Sequence, residues 1–355
     1  MSCSTWSSSP SPIDADLTTP APPRRAPVWH ILVGVANSAV LLYVSLRGIH
    51  FAEVLAHVRT ARLAPVLLCV TLATLTFVVR IFRWQLLLHG DDGRTLPAGP
   101  LWHAIAMGFM ANNVLPLRMG EVVRTFAASQ LTQTRFSSVL ASIAVERLFD
   151  ALTVVALLAL GLLTVTLPAG AMAGFHVERI VTVAGIAAVG GLVAGALVVA
   201  FPLVAERVVR AIIPSEKLAG KLVALIEGIR HGLSVLRSPG RIAGTVLWSA
   251  GVWGLSALSF YVMFAAFGIE VDLSGALLMQ GLIMFGIALP STPGYVGAFE
   301  LPIIAVLTLY GVDKSLAAAY ALSYHVTTFL PITLLGAWSV ARTNLGLTAF
   351  RRSQP

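Results

Sequence analysis

The chain has 355 residues, of which 57% are hydrophobic and 11% charged, with a formal net charge of +8. Soluble domains carry about 25% charged residues, so a fold surrounded by water is excluded, and a mean hydropathy of +0.85 points to lipid as the main solvent. In a soluble protein the basic balance would suggest nucleic acid. Here the basic residues flank apolar stretches, which reads as membrane topology and affinity for an anionic phospholipid surface, with no nucleic-acid partner.

Residues 1–27 are Ser/Thr/Pro-rich, lack periodicity and read as a disordered cytoplasmic tail. The first apolar run begins near Val28 with no convincing cleavage site after it, so a removable signal peptide is not expected. Apolar runs of about 18–20 residues or more suffice to cross the bilayer. They predict full spans at 28–46, 64–88, 137–167, 180–201, 241–267 and 315–341. Arg207, Arg210, Lys217, Lys221, Arg230, Arg237 and Arg241 place the segment between the fourth and fifth spans in the cytoplasm, and the basic tail 346–355 joins it there. Connections holding Glu178 or Glu270 suit the outside. Arg47, Arg59 and Arg62 run against this orientation and are outvoted by the later loops. Within 202–240, an apolar stripe from Leu218 to Leu236 predicts an amphipathic helix lying on anionic lipid. Cys3 and Cys69 support neither a disulfide framework nor a thiolate metal site.

Two further apolar stretches are interrupted. The first, about 100–130, is broken by NNVLPLRMGEVVR, with Pro116 and Gly120 at its tip. The second, about 274–311, is broken by ALPSTPGYVGAFE, with Pro290, Pro293, Gly294 and Gly297 at its tip. Each is too short for two crossings and has Pro and Gly where a helix must stop. The expected fold is therefore all-α and polytopic: about six full spans plus two re-entrant helical hairpins. The hairpins enter from opposite sides, so the halves form an inverted repeat, and paired interrupted segments point to a transporter's central site.

Charges within spans cost about 3 kcal/mol or more at the bilayer centre unless paired, hydrated or functional. Glu146 and Asp150 share one face of the third span and Arg147 can pair with Asp150; either an interfacial ion pair or a substrate role fits them. Arg118, Glu121 and Arg124 recur three apart after the first tip. A guanidinium fork and a helix N-terminus there make a phosphate cradle, with a positive-inside anchor as the alternative. Arg80 and Arg83 read as snorkelling beside an interfacial Trp84. Glu300 suits pairing with Arg118 or Arg147, carrying a proton, or capping the next half-helix. Tyr324 and His325 read as satisfied core residues. No metal spacing, Walker A, G-x-S-x-G or D-x-D pattern is present, so no cofactor, metal or catalytic residue is expected.

In order, RIFRW, NNVLPLRMGEVVR, AVERLFD and PSTPGYVGAFE resemble the transmembrane domain of lysylphosphatidylglycerol synthases, shared with a group of flippase-like membrane proteins. The resemblance covers about 30–345, so 28–345 is expected to be one flippase-like transmembrane domain. It implies Asn113, Pro116, Arg118, Gly120, Glu121, Arg124, Glu146, Arg147, Asp150, Pro293, Gly294, Gly297 and Glu300 as motif positions. In the two-domain synthases this part is associated with lipid flipping and a separate soluble domain makes the lipid. The sequence read here ends at Pro355 without that domain, so lysyl transfer is not expected. The leading expectation is a multi-pass cell-membrane flippase, both termini cytoplasmic, moving an anionic phospholipid or polyprenyl-phosphate-linked lipid between leaflets. The alternative is an enzyme or accessory subunit in lipid or glycolipid biosynthesis. A lipid-biosynthesis enzyme or a second copy of the chain are the protein partners left open.

Overall fold

The computed structural model describes residues 28–90, 92–115, 119–165, 202–213, 238–288 and 293–343, together with 215, 216, 220, 223 and 345. The expected tails, the span at 180–201 and nearly all of the amphipathic stretch lie outside the described residues. Among the described residues regular structure is helical, apart from one isolated bridge pair, His89 with Thr95. The helices run α1 Val28–Leu46, α2 Phe51–Thr60, α3 Leu63–Leu87, α4 Ala98–Val114, α5 Gly120–Thr132, α6 Phe136–Thr164, α7 Pro202–Ile212, α8 Pro239–Phe267, α9 Leu273–Ala288, α10 Glu300–Leu309 and α11 Lys314–Thr343.

Among the described residues α3, α8 and α11 are long and apolar enough to cross a membrane. A fourth crossing is reached if α1 and α2, bent by 79°, count as one broken span. The bend falls where Gly48 adopts φ +76°, the left-handed conformation that commonly ends helices. At 29 residues α6 is as long as α8, but Glu146, Arg147 and Asp150 interrupt its apolar character.

Both interrupted stretches are two short helices each. Leu115 leaves the helix in an extended conformation, φ −92° and ψ 144°, as the clash with a following proline ring demands. The second break holds a 3-10 turn at Pro293–Tyr295 and left-handed backbone at Gly294, Tyr295 and Gly297. Within each pair the two helices touch through glycine. A Cβ on Gly120 would overlap the Gly108 carbonyl and the Asn112 amide, and one on Gly286 would lie 2.6 Å from the Ala298 carbonyl oxygen.

The packing is reciprocal. α3 lies against α8, while α4 packs on α11 and α9 packs on α6. α5 also meets α6, as α10 meets α11. Exchanging α3 with α8, α4 with α9, α5 with α10 and α6 with α11 leaves the α3–α8 contact in place and interchanges the others in pairs. The 3-10 turn of the second break rests on α4, and a Cβ on Gly294 would lie 3.6 Å from the Asn113 carbonyl oxygen. The second break therefore rests on the end of α4, where the first begins, and two apolar clusters, one with Phe77 and Trp84 and the other with Phe260 and Tyr324, form the core.

The glycine contact sets a test. Gly120→Ala forces an overpacked methyl between α4 and α5, with an expected loss of about 1–3 kcal/mol. Gly254→Ala, whose Cβ meets nothing within 4 Å, should hold or gain stability through helix propensity. Thermal unfolding of the two purified variants compares them; equal melting temperatures would contradict the tight α4–α5 contact.

Candidate functional site

The site begins with Glu146, which is fully buried. It lies ten residues into α6, about 15 Å along the helix axis, too deep for water to solvate. Its carboxylate is held instead by three arginines from three helices. Arg124 of α5 donates through both Nη atoms, at 2.8 and 2.7 Å, the bidentate geometry that suits a carboxylate. Arg83 of α3 approaches at 2.9 Å and Arg147 of α6 also at 2.9 Å. Asp150, one turn on, accepts from Arg83 at 2.5 Å and from the Trp253 indole N–H of α8 at 2.8 Å, with Arg147 at 3.4 Å. Arg124 further stacks over Trp84, 3.8 Å from the ring centroid, while Trp84 donates to Ser142 at 3.0 Å.

This corrects two expectations. Arg83 and Trp84 are 0% exposed, so they do not snorkel to an interface; Arg83 pairs with the carboxylates of α6 and Trp84 donates to the Ser142 hydroxyl. The expected Arg147–Asp150 pair is present at 3.4 Å, with both acids enclosed by α3, α5 and α8. The Arg124 fork, expected to be free for phosphate, is already taken by Glu146.

Arg80 is different. It is 7% exposed, sits between the rings of Phe109 and Trp253 at 5.1 and 5.7 Å, and comes only to 3.9 Å from Glu146. Its Nε and Nη1 are buried without a hydrogen-bond partner among the described residues, as are Nε and Nη2 of Arg83, but Arg80 lines a cavity and Arg83 does not. Arg80, Arg124 and Arg147 line a cavity of about 260 Å³ that also touches both breaks, through Asn112, Gly120 and Glu121 on one side and Tyr295 and Phe299 on the other. A larger recess of about 570 Å³, between the start of α3 and the end of α8, has Glu270 as its one charged lining residue and lies away from this cluster.

The other expected site residues divide. Asn113 donates to Thr333 of α11 at 2.9 Å, and Asn112 accepts the Gly120 N–H at 2.8 Å, joining the two ends of the first break. Glu121 is half-buried at the cavity wall. Pro116, Arg118 and Pro290 lie outside the described residues. Glu300 is buried, accepts the Gly297 N–H at 2.7 Å and lies 2.5 Å from His325 Nδ1 of α11. Glu300 opens α10, and the side chain that meets its carboxylate is His325 rather than Arg147. Gly297 itself is wedged on α1: a Cβ there would lie 2.8 Å from the Leu42 nitrogen. Among the described residues no group of three or more His, Cys, Asp or Glu side chains is placed to hold a metal ion.

Reciprocity extends to residues. Arg83 and Ser259 are each the twenty-first residue of their helices, α3 and α8, and Glu146 and Tyr324 each the eleventh, of α6 and α11. Where Arg83 pairs with Glu146, Ser259 bonds the Tyr324 hydroxyl at 2.7 Å. One half of the scaffold thus carries charge where the other carries hydroxyls and aromatic rings. Trp253 and Gln280 also line the cavity, and neither carried a signal in the sequence. Arg80 and Arg83 did, in the three-residue spacing of RIFRW.

The family model described as lysylphosphatidylglycerol synthase TM region matches residues 31–336. The chain is 26% identical over 347 residues to a Haloferax volcanii protein named glycosyltransferase AglD, a match covering 90% of this chain and 55% of that protein, so it spans about half of that relative's length. A UPF0104 membrane protein of Pyrococcus horikoshii is 23% identical over 327 residues, covering 86% of this chain and 94% of that one. A UPF0104 membrane protein of Methanothermobacter thermautotrophicus is 25% identical over 240 residues, 65% of this chain and 70% of that one.

Removing the hub carboxylate leaves buried guanidiniums uncompensated, at an expected cost of about 3–5 kcal/mol. Glu146→Gln should therefore lower the melting temperature sharply and reduce folded yield, whereas half-buried Glu121→Gln should cost far less. Size-exclusion yield and thermal unfolding in detergent measure both. A Glu146→Gln protein as stable as the parent would contradict the hub.

Proposed function

This chain belongs to the family of the lysylphosphatidylglycerol synthase TM region, and on that premise we propose that it is a lipid transporter. An anionic phospholipid or polyprenyl-phosphate-linked lipid passes its headgroup through the cavity between the two breaks while the chains stay in the bilayer. The observation that carries this reading is Arg80. A buried guanidinium with unpartnered N–H groups is costly, and a phosphate oxygen is the partner its geometry and charge suit. Arg147, with its side chain 39% exposed, supplies a second cation at the wall. At about 260 Å³ the cavity takes a headgroup, with space for on the order of nine waters, and not an acyl chain.

The reciprocal packing supports the finer architecture proposed with this function: six spans and two re-entrant hairpins, related as an inverted repeat. Such repeats place a substrate site at the midplane where interrupted helices meet. The multi-pass protein then sits in the cell membrane, with both termini and the 202–241 segment cytoplasmic.

The name of the Haloferax volcanii relative favours a second reading, an enzyme or accessory subunit of glycolipid assembly. Glu300, Glu146 or Asp150 would then serve as its general base. Glu146 and Asp150 are bound to guanidiniums and Glu300 is bound to Gly297 and His325, so the acids best placed for that role are committed elsewhere.

Two measurements test the proposal. In proteoliposomes, outer-leaflet exposure of labelled phosphatidylglycerol or polyprenyl phosphate should rise with the parent protein. It should fall at least about tenfold with Arg80→Gln, while Arg94→Gln, on an exposed loop, matches the parent. Movement of neither lipid, or full activity of Arg80→Gln, would sink the reading. For topology, a cysteine at position 270 should be labelled from outside and one at 216 from the cytoplasm. Labelling of 270 from the cytoplasm alone would remove the inverted repeat.

A further inference from the structure

The two halves of the cavity wall are chemically unlike, and the difference specifies what the headgroup must carry besides phosphate. Among the described residues of the charged side, Arg80, Arg83, Arg124 and Arg147 face Glu146, Asp150 and Glu121, so one positive charge is in excess among them. A phosphodiester, with one negative charge, neutralises that excess. A headgroup that brings a cation as well restores it inside the membrane, where uncompensated charge is costly.

The opposite side holds no charged residue among those lining the cavity. Phe260 and Tyr324 stack with centroids 4.0 Å apart and planes within 10°, and Phe299 continues the stack 6.0 Å from Tyr324 at 17°. Phe299 is the half-buried member and faces the cavity edge. Around these rings lie Ser256, Ser259, Thr328 and Gln280. Gln280 is the sharpest signal. Its Nε2 donates to the Trp253 carbonyl at 3.1 Å, which fixes the amide orientation, and its Oε1 is 3% exposed as part of that residue and has no hydrogen-bond partner among the described residues. A phosphate ester supplies acceptor oxygens only and cannot satisfy an acceptor. A ligand that brings a donor matches it, and a hydroxyl is the neutral one.

Resting on the transport reading, we propose that the cavity takes a glycosyl phosphate: the phosphate at Arg80 and Arg147, the sugar ring against Phe299, and its hydroxyls on Gln280 and Ser256. A sugar ring has an apolar face for an aromatic wall and a rim of hydroxyls that both donate and accept. A cationic aminoacyl or amino-alcohol ester matches the aromatic wall but not the charge balance.

Calorimetry on the purified full chain in nanodiscs tests this with three soluble probes: inorganic phosphate, phosphocholine and α-glucose 1-phosphate. Glucose 1-phosphate should bind roughly tenfold more tightly than the other two, the scale of one net hydrogen bond plus one ring contact. Polyprenyl-phosphate-linked glucose, added to the nanodisc, should displace it. Failure to displace it would overturn a lipid-linked occupant. Phosphocholine binding as tightly as the sugar phosphate overturns the glycosyl assignment. Equal affinity for inorganic and glucose phosphate overturns it too, while leaving an anion site and the transport reading in place; absence of any phosphate binding removes both. Gln280→Met should lower glucose 1-phosphate to the affinity of inorganic phosphate without changing the latter. Where that buried variant misfolds, Ser256→Ala should weaken the sugar phosphate a few-fold and leave inorganic phosphate unchanged. An equal loss for both probes would contradict the assignment.

Discussion

The described structure is organised around one carboxylate that water cannot reach. Glu146 accepts from Arg124 and Arg147 and is ion-paired with Arg83, so α3, α5 and α6 have to arrive at one point with their guanidiniums in register. A buried charge cluster of this kind adds little net stability over an apolar core, yet breaking one member is costly. Its effect is to specify position. It ties the second half-helix of the first interrupted stretch to the long helix that follows and to the helix that precedes it. Through Asp150 and Trp253 the same cluster reaches α8 in the other half of the molecule.

That fixed point separates scaffold from chemistry. The packing of α3–α6 is matched by that of α8–α11, and even the Arg83–Glu146 pair has a counterpart in Ser259 and Tyr324 at the same helical positions. The side chains are not matched. Charge gathers on one half, rings and hydroxyls on the other, and the cavity lies where the interrupted segments bring the halves together. A symmetric frame carrying asymmetric lining residues can hold a headgroup with two unlike ends.

Much of this frame is legible in the chain. Leu-Pro and Pro-Gly sequences in the middle of apolar stretches stop helices for local reasons, so both breaks could be placed from sequence, as could the one-face spacing of Glu146 and Asp150. What sequence did not reveal is direction. Arg80 and Arg83 at the end of an apolar helix have the same spacing whether they snorkel outward or turn inward, and only the position of α6 decides between them. Arg124 looks like a free phosphate fork until its neighbour Glu146 is found 22 residues on. Glu300 was correctly placed at a helix start, but His325 is a partner from another helix, whose rotation periodicity does not fix. Gln280 and Trp253 gave no local signal because their roles arise only when α8 packs against α3, α6 and α9.

The central claim is that surplus guanidinium between the two breaks exists to hold a phosphate. The most direct measurement is a high-resolution cryo-electron microscopy map of the protein in nanodiscs loaded with polyprenyl-phosphate-linked glucose. The account predicts headgroup density between the breaks, with a phosphate oxygen within hydrogen-bond reach of Arg80. Headgroup density confined to the membrane surface, with Arg80 contacted only by protein side chains, would contradict it.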